Sequence, residues 1–277
     1  MPVEPDRESL ARPVPGTLEA WAWDYLHERD LARKFELGPP PREVEPHAAP
    51  RNSVRPLRPN GIVSAHKRMK TPGPEALRTP LRKAQIVHTF LHHELQAAEL
   101  MCWAILAYPN SPEKFRTGLA KVARDEVRHM AMYADYLGAL GWAFGAFPIR
   151  DWFWERVPAA RTPEDFVATM GMGFEGGNLD HTRRFAERFR AIGDIAGAEL
   201  QETIFEEEIP HVRFALTWFR TFTGHVDFAS WVGHLPAPLS PMVMRGHPID
   251  REGRERAGFS ATFVDDLERW QCKESGY

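Results

Sequence analysis

The segment Asp125-Glu126-Val127-Arg128-His129 is echoed 82 positions later by Glu208-Ile209-Pro210-His211, counted between the two glutamates. Each Glu-x-x-His step follows another glutamate at nearly the same distance: Glu94 precedes the first step by 32 positions, and Glu175 precedes the second by 33. Residues three apart on an α-helix share one face. Four glutamates and two histidines from four helices are the ligand set of a carboxylate-bridged dinuclear metal site in a helix bundle.

Capping residues and helix breakers divide the central region into four long helices. Capping side chains precede the four runs at Thr79-Pro80, Ser111-Pro112, Thr162-Pro163 and Asp194. The predicted helices cover residues 80–107, 112–138, 163–192 and 195–223, each about 42 Å long. Short links join the first helix to the second and the third to the fourth, whereas about twenty residues separate the two pairs. This pattern predicts an all-α, ferritin-like four-helix bundle of two antiparallel hairpins and one long crossover.

The candidate ligands lie in the apolar stripes of their helices. Positions three, four and seven residues from Glu94 include Leu91, Ala98 and Met101. Converging ionised carboxylates in such surroundings need a compensating positive charge. We therefore expect two bound metal ions, either two Fe ions or a Mn/Fe pair, because an oxygen-rich ligand set suits these metals. The predicted ligands are Glu94, Glu126, His129, Glu175, Glu208 and His211.

Four further residues have candidate roles beside the metals. Glu99 and Asp180 lie five positions after the predicted ligands Glu94 and Glu175. Five residues correspond to a rotation of about 140°, which directs Glu99 and Asp180 away from the metals into a supporting or helix-contact role. Asp125 is interpreted either as a surface group or as a carboxylate that orients a ligand histidine. Tyr133 is interpreted either as a core residue or as a redox or hydrogen-bonding neighbour of the metals.

Glycines crowd the third helix around Glu175, at positions 171, 173, 176 and 177. Each glycine costs about 1 kcal/mol relative to alanine in a helix interior, so a purely structural helix would not retain them. Two interpretations remain open. The glycines allow close helix packing, or they create open space or a local helix distortion through which dioxygen or a substrate can enter.

The remainder of the chain flanks this bundle. We predict an N-terminal helix over residues 17–37 and a Pro-rich basic arm within region 1–79, the bundle over 80–224, and a C-terminal extension over 225–277. The extension should contain a turn of helix at residues 228–231 and a short helix at about 260–271. Residues 245–248 and 251–256 are expected to be surface coil. Residues 51–83 carry nine Lys or Arg and one acid, which favours a solvated loop, with a nucleic-acid or anion contact as the alternative.

Composition narrows the classes of function. The net charge of -3 gives no global attraction to nucleic acid or membrane, and the two cysteines, Cys102 and Cys272, are too few for a disulfide framework or a thiolate metal site. The start lacks the pattern of a signal peptide, and no run approaches 18 apolar residues. We expect a cytoplasmic protein without a membrane partner, and a homodimer on base rates alone.

The 145 residues of the predicted bundle resemble the ferritin-like di-iron carboxylate superfamily. More narrowly, they are similar to an uncharacterised bacterial branch akin to the di-iron hydroxylases that modify tRNA. The motifs are His92-His93-Glu94-Leu-Gln-Ala-Ala-Glu99, Asp125-Glu126-Val-Arg-His129, Glu175-Gly-Gly-Asn-Leu-Asp180 and Glu208-Ile-Pro-His211.

The resemblance implies two irons bridged by Glu126 and Glu208, with Glu94 and Glu175 as terminal carboxylates and one histidine on each metal. Gly176-Gly177 departs from the pattern, which has a small residue and an arginine there, so an arginine that anchors a supporting acid is missing from the motif.

The ligand set leads to two hypotheses of function, and the resemblance together with the basic arm leads to a third. The first is an oxidase or oxygenase that activates dioxygen and acts on an unknown small-molecule substrate with an unidentified electron donor. The second is an iron storage or detoxification protein, although about 80 residues before the bundle and 50 after it would obstruct a tight cage. The third is a tRNA-modifying hydroxylase that uses the basic arm.

Overall fold

A computed structural model describes residues 11–59, 61–64 and 74–271 of the chain. Within these ranges the structure is helical, and its one β-contact is an isolated bridge between Ser64 and Ile149. The prediction of an all-α class is therefore confirmed. No helix in the described ranges is both long enough and apolar enough to span a bilayer. Cys102 is a buried free thiol, whereas Cys272 lies outside the described residues.

The α-helices of the described residues are, in chain order, α1 (Leu18–His27), α2 (Leu31–Lys34), α3 (Pro80–Ala107), α4 (Glu113–Ala139), α5 (Pro163–Phe166), α6 (Gly176–Ala191), α7 (Ile195–Thr223), α8 (Phe228–Gly233), α9 (Arg251–Ala257) and α10 (Ala261–Arg269). A π-helical segment, Val167–Glu175, joins α5 to α6 without a break. Short 3₁₀ turns occupy Pro74–Arg78, Val157–Ala159 and Pro241–Val243.

The four predicted long helices agree with the structure because their end signals are local. α3 begins at Pro80 directly after Thr79, and α7 ends at Gly224, whose φ of 85° requires the left-handed region that glycine adopts freely. The hydroxyl of Thr162 accepts a hydrogen bond from the N–H of Asp165, and Asp194 caps α7 in the same way. α4 starts one residue later than predicted, since Pro112 takes the capping position itself.

The terminal regions differ from expectation. The predicted helix over residues 17–37 is divided into α1 and α2, because the chain leaves the helical conformation at Glu28 and Asp30 caps a new start. The expectation of surface coil at 251–256 is wrong: these residues form α9, with Asp250 as its N-cap. Arg245 and Arg254 are also buried, at 8% and 1% exposure, rather than solvated. The predicted C-terminal helix is α10, capped by Ser260.

The chain forms two compact units. The first unit comprises Met1–Pro72 and Thr79–Glu155, and within it α3 and α4 pack as an antiparallel hairpin with α1 against α3. The second unit comprises Gly73–Arg78 and Arg156–Tyr277. In the second unit the continuous run α5–π–α6 pairs with α7, and α9 packs on both α6 and α7. Two helix hairpins are thus present, one in each unit, whereas their association in a ferritin-like bundle and the three-part domain division remain predictions.

Candidate metal centre

The first unit contains three of the predicted ligands, which we call the first half-site: Glu94 of α3 with Glu126 and His129 of α4. Their exposed fractions are 4%, 0% and 0%. The Nδ1 atom of His129 lies 3.5 Å from a carboxylate oxygen of Glu94 and 3.5 Å from one of Glu126. One potential ligand atom from each side chain lies within 4.8 Å of the others. This separation suits three ligands that share a metal ion.

The second unit contains the second half-site: Glu175, the last residue of the π-helical segment, with Glu208 and His211 of α7. Their exposed fractions are 4%, 0% and 5%. The Nδ1 atom of His211 lies 3.1 Å from Oε2 of Glu208. Asn178 donates a hydrogen bond to Oε1 of the same glutamate, 3.1 Å away. Each half-site therefore combines one glutamate on the first helix of a hairpin with a Glu-x-x-His pair on the second.

Electrostatics in the first half-site favour a bound cation. Burial raises the pKa of Glu94 well above its ordinary value, and the neighbouring charge of Glu126 raises it further, whereas the hydrogen bond with His129 opposes the shift. Desolvation and a like charge both disfavour the ionised carboxylate. A divalent or trivalent metal ion would supply the positive charge that keeps both glutamates ionised in a buried position.

The glycines around Glu175 are explained by close packing within the second unit. A Cβ added at position 173 would lie 2.7 Å from Sδ of Met244, and one at position 177 would lie 3.1 Å from the carbonyl oxygen of Met244. A Cβ on Gly171 would overlap the Cβ of Ala215. The predicted helix distortion is present as well, since Val167–Glu175 is π-helical and wholly buried. No open space lies at these glycines.

Glu99 lies in the first unit as part of a buried ion cluster. Its carboxylate accepts hydrogen bonds from Nζ of Lys34 at 3.0 Å, from Nη1 of Arg58 at 2.6 Å and from Nε1 of Trp154 at 3.0 Å. Burial by itself would raise the pKa of Glu99, but the charges of Arg58 and Lys34 outweigh it and hold the pKa below its ordinary value. Glu99 is thus a charged anchor rather than a solvated residue.

Asp180 has the equivalent position in the second unit. Arg254 of α9 donates to both carboxylate oxygens, from Nε at 3.0 Å and from Nη2 at 2.8 Å. The backbone N–H groups of Gly246 and Asp250 complete the set at 2.7 and 2.8 Å. The arginine that binds Asp180 therefore comes from a distant part of the chain. No local pattern in the sequence indicates Arg254, because 74 residues separate it from Asp180.

The remaining candidates lie as follows. Asp125 is at the surface with 40% of its side chain exposed, and its carboxylate lies 3.3 Å from Arg128. Tyr133 is buried at 1% exposure, with its ring centroid 5.7 Å from that of Phe90. His92, which precedes Glu94 by two residues, is also buried, and its Nε2 lies 3.1 Å from Asp151.

Part of the basic arm is used inside the first unit. Arg51 is buried at 7% exposure and binds both carboxylate oxygens of Glu45, at 2.7 and 3.0 Å. Arg58 binds Glu99 and also Asp151, at 2.7 Å. Residues 60 and 65–73 of the arm lie outside the described residues. A nucleic-acid contact through residues 51–83 remains a prediction, and Arg51 and Arg58 already have internal partners.

Comparison with known proteins gives a family match without a described activity. A protein from Haemophilus influenzae, described as "Uncharacterized protein", is 26% identical over 192 residues, which span 66% of this chain and 66% of that protein. No solved structure matches the chain. The model of the family described as "Protein of unknown function (DUF455)" matches residues 18–265, nearly the whole sequence. The chain belongs to the DUF455 family.

Proposed function

We propose that the two half-sites together hold two metal ions and that the protein is an oxidoreductase that uses dioxygen on a small-molecule substrate. One observation carries the proposal. Each helix hairpin buries the same three groups, a glutamate on its first helix and Glu-x-x-His on its second, although nothing in helix packing alone requires buried carboxylates at these positions.

The donor set favours iron or manganese. Four carboxylates and two imidazoles form hard, oxygen-rich coordination, and the described residues of the half-sites contribute no thiolate. Two metal ions ligated in this way would supply dioxygen binding and oxidation of a nearby substrate, in the Fe/Fe or the Mn/Fe form. Glu-x-x-His places both side chains of a pair on one helix face, so each hairpin presents its three ligands without rearrangement of the backbone.

Other residues of the chain set the environment of these ligands. Asn178 donates to Oε1 of Glu208, which leaves Oε2 oriented toward His211. The exposed fractions of 5% or less exclude bulk water from all six side chains. A low-dielectric, dry site strengthens the attraction between carboxylates and cations and limits side reactions of an oxidising centre.

The test begins with metal content. The protein is reconstituted anaerobically with Fe(II), or with Mn(II) and Fe(II), and bound metal is measured after removal of the excess. About two tightly bound ions per chain are expected, with His129→Ala and His211→Ala each losing metal and the surface variant Glu206→Gln retaining both. Glu206 is a suitable control because it lies on α7 with 56% of its side chain exposed. Absence of tight binding by the wild-type protein would refute the proposal.

Dioxygen chemistry is tested separately. The loaded protein, given a chemical reductant, should consume oxygen faster than either histidine variant, and metabolite extracts incubated with it should show oxidised products by mass spectrometry. Metal binding without oxygen consumption would contradict the oxidoreductase assignment and leave the metal site in place. A particle of several hundred kDa that accumulates iron would favour storage instead.

A further inference from the structure

We infer that Arg58 and Arg254 are positioning residues for the metal centre. Arg58 binds Glu99, which lies on the same helix as Glu94, and Arg254 binds Asp180, which follows Glu175 on the same helical run. Each ion pair fixes the orientation of the helix that carries the glutamate ligand. The inference rests on the proposed dinuclear site. It gives the Pro-rich arm and the C-terminal extension matching roles, because each supplies one arginine to one hairpin.

The first anchor connects the arm to α3. Arg58 binds both oxygens of Glu99 at 2.6 Å through Nη1, while its Nη2 binds Asp151 at 2.7 Å. Lys34 reaches the same glutamate from α2 at 3.0 Å. The side chains of Lys34 and Glu99 are wholly buried, and that of Arg58 is 17% exposed. Trp154 also donates to Glu99, at 3.0 Å, so three segments of the first unit bind this one residue of α3.

The second anchor connects α9 to α6. Arg254 and Asp180 form a two-point pair whose side chains are 1% and 0% exposed. A third bond of Arg254, from Nη2 to the carbonyl oxygen of Met244 at 3.1 Å, fixes its guanidinium further. Close packing adds to this fixation, since a Cβ on Gly176 would lie 3.3 Å from Nη1 of Arg254. Gly176 therefore makes room for the arginine, and Gly173 and Gly177 make room for Met244 rather than for a ligand channel.

The geometry of a helix turns such an anchor into control of the ligand. Glu99 follows Glu94 by five residues, and Asp180 follows Glu175 by five residues, so each anchor is about 140° around the helix from its ligand. If a helix rolled by about 15°, a side-chain end about 6 Å from its axis would move roughly 1.5 Å. Functional ligands must be held within about 0.5 Å and 10–20°. An anchor on the opposite side of the helix prevents such a roll.

Two features separate positioning from general stabilisation. Each arginine serves one hairpin, so loss of one should weaken one half-site and spare the other. In addition, replacing both members of a buried ion pair by neutral groups is often close to neutral for stability, whereas removing one member is strongly destabilising. A neutral double variant can therefore regain stability while it still lacks the two-point orientation.

The experiment compares Arg58→Met, Arg254→Met and the double variant Asp180→Asn/Arg254→Met with the wild-type protein. Matched controls are Arg55→Met, three residues before Arg58 and exposed, and Arg256→Met, whose guanidinium pairs with exposed Glu206 on the surface beside Arg254. Fe(II) affinity is measured by anaerobic equilibrium dialysis, and the two iron environments are followed by Mössbauer spectroscopy of ⁵⁷Fe. Thermal unfolding is measured on the metal-free proteins.

We expect each arginine variant to keep one iron at wild-type affinity and to bind the other roughly 10-fold more weakly, the lower end of the effect of losing a direct hydrogen-bond partner of a metal ligand, because each arginine acts through the helix. The double variant should recover much of the unfolding temperature without recovering binding of the second iron. A further variant, Arg254→Lys, should retain only part of the affinity for the second iron, because lysine lacks the planar guanidinium that binds both carboxylate oxygens.

Full two-iron binding by the double variant, or equal loss of both irons in every variant, would overturn the inference. Failure of the wild-type protein to bind two metals would instead refute the proposed function on which the inference depends.

Discussion

Replacement of Glu126 by glutamine should stabilise the metal-free protein. Glu126 is wholly buried, and its charge is one of the causes that raise the pKa of Glu94. Glutamine has almost the same shape, so the substitution removes the charge without opening a cavity. A residue retained for its metal ligand function should therefore reduce stability when the metal is absent.

The expected magnitude follows from the charge arrangement. One unit of pKa shift corresponds to about 1.4 kcal/mol, and removal of the Glu126 charge ends both its own desolvation cost and its unfavourable effect on Glu94, which together should contribute about 1 to 3 kcal/mol. At roughly 2 °C per kcal/mol for a chain of this size, the unfolding temperature should rise by about 2 to 6 °C.

Glu99→Gln provides the matched comparison, because Glu99 is equally buried in the same unit but bound to two cations. Its loss leaves Arg58 and Lys34 without their shared anion and should destabilise the protein by about 3 to 5 kcal/mol. We therefore predict that the two Glu→Gln substitutions change the free energy of unfolding of the metal-free protein in opposite directions.

Differential scanning calorimetry after chelation, repeated with saturating Fe(II), measures both effects. Added metal should raise the unfolding temperature of the wild-type protein more than that of Glu126→Gln. If Glu126→Gln destabilises the metal-free protein as much as Glu99→Gln does, the buried charge of Glu126 is not unfavourable in the absence of metal and the reasoning is refuted.

Further predictions concern pH, packing and metal. Glu99 has a lowered pKa, so the stability that it contributes is present above the ordinary value of 4.5 and should be lost as the pH falls below that value. Glu94 has a raised pKa, so the stability of the metal-free protein should decline as the pH rises from 4.5 through that raised pKa. Thermal unfolding from pH 3 to 9 measures both declines. Gly171→Ala should destabilise the protein by about 1 to 3 kcal/mol in urea titrations, because its Cβ would overlap that of Ala215, and an unchanged midpoint would contradict the packing at the π-helical segment. Fe(II) at about 100 times Kd should add about 2.7 kcal/mol of stability per site, a gain that chelation reverses and that His211→Ala should reduce.

Several structural features follow from the sequence because their causes are local. Thr162, Asp194 and Gly224 mark helix ends through bonds and backbone angles within a few residues, and these positions agree with the structure. The apolar stripe around Glu94 likewise indicates burial before any coordinates exist, and the residue is 4% exposed. Helix propensity, capping and apolar periodicity act over one or two helical turns, so the sequence alone is sufficient to predict their effects.

Tertiary structure alone decides which distant residues satisfy the buried acids. Arg58 reaches Glu99 across 41 residues and Arg254 reaches Asp180 across 74, and Arg254 is buried in helix α9, where the sequence predicts surface coil. The packing of the π-helical segment is also a tertiary result, since Gly171 lies against Ala215 and Gly173 against the side chain of Met244, and no local pattern indicates either partner. The sequence by itself establishes that the buried acids need compensating positive charge. Which residue supplies that charge depends on where distant loops pack against the helices, and only the tertiary structure determines this.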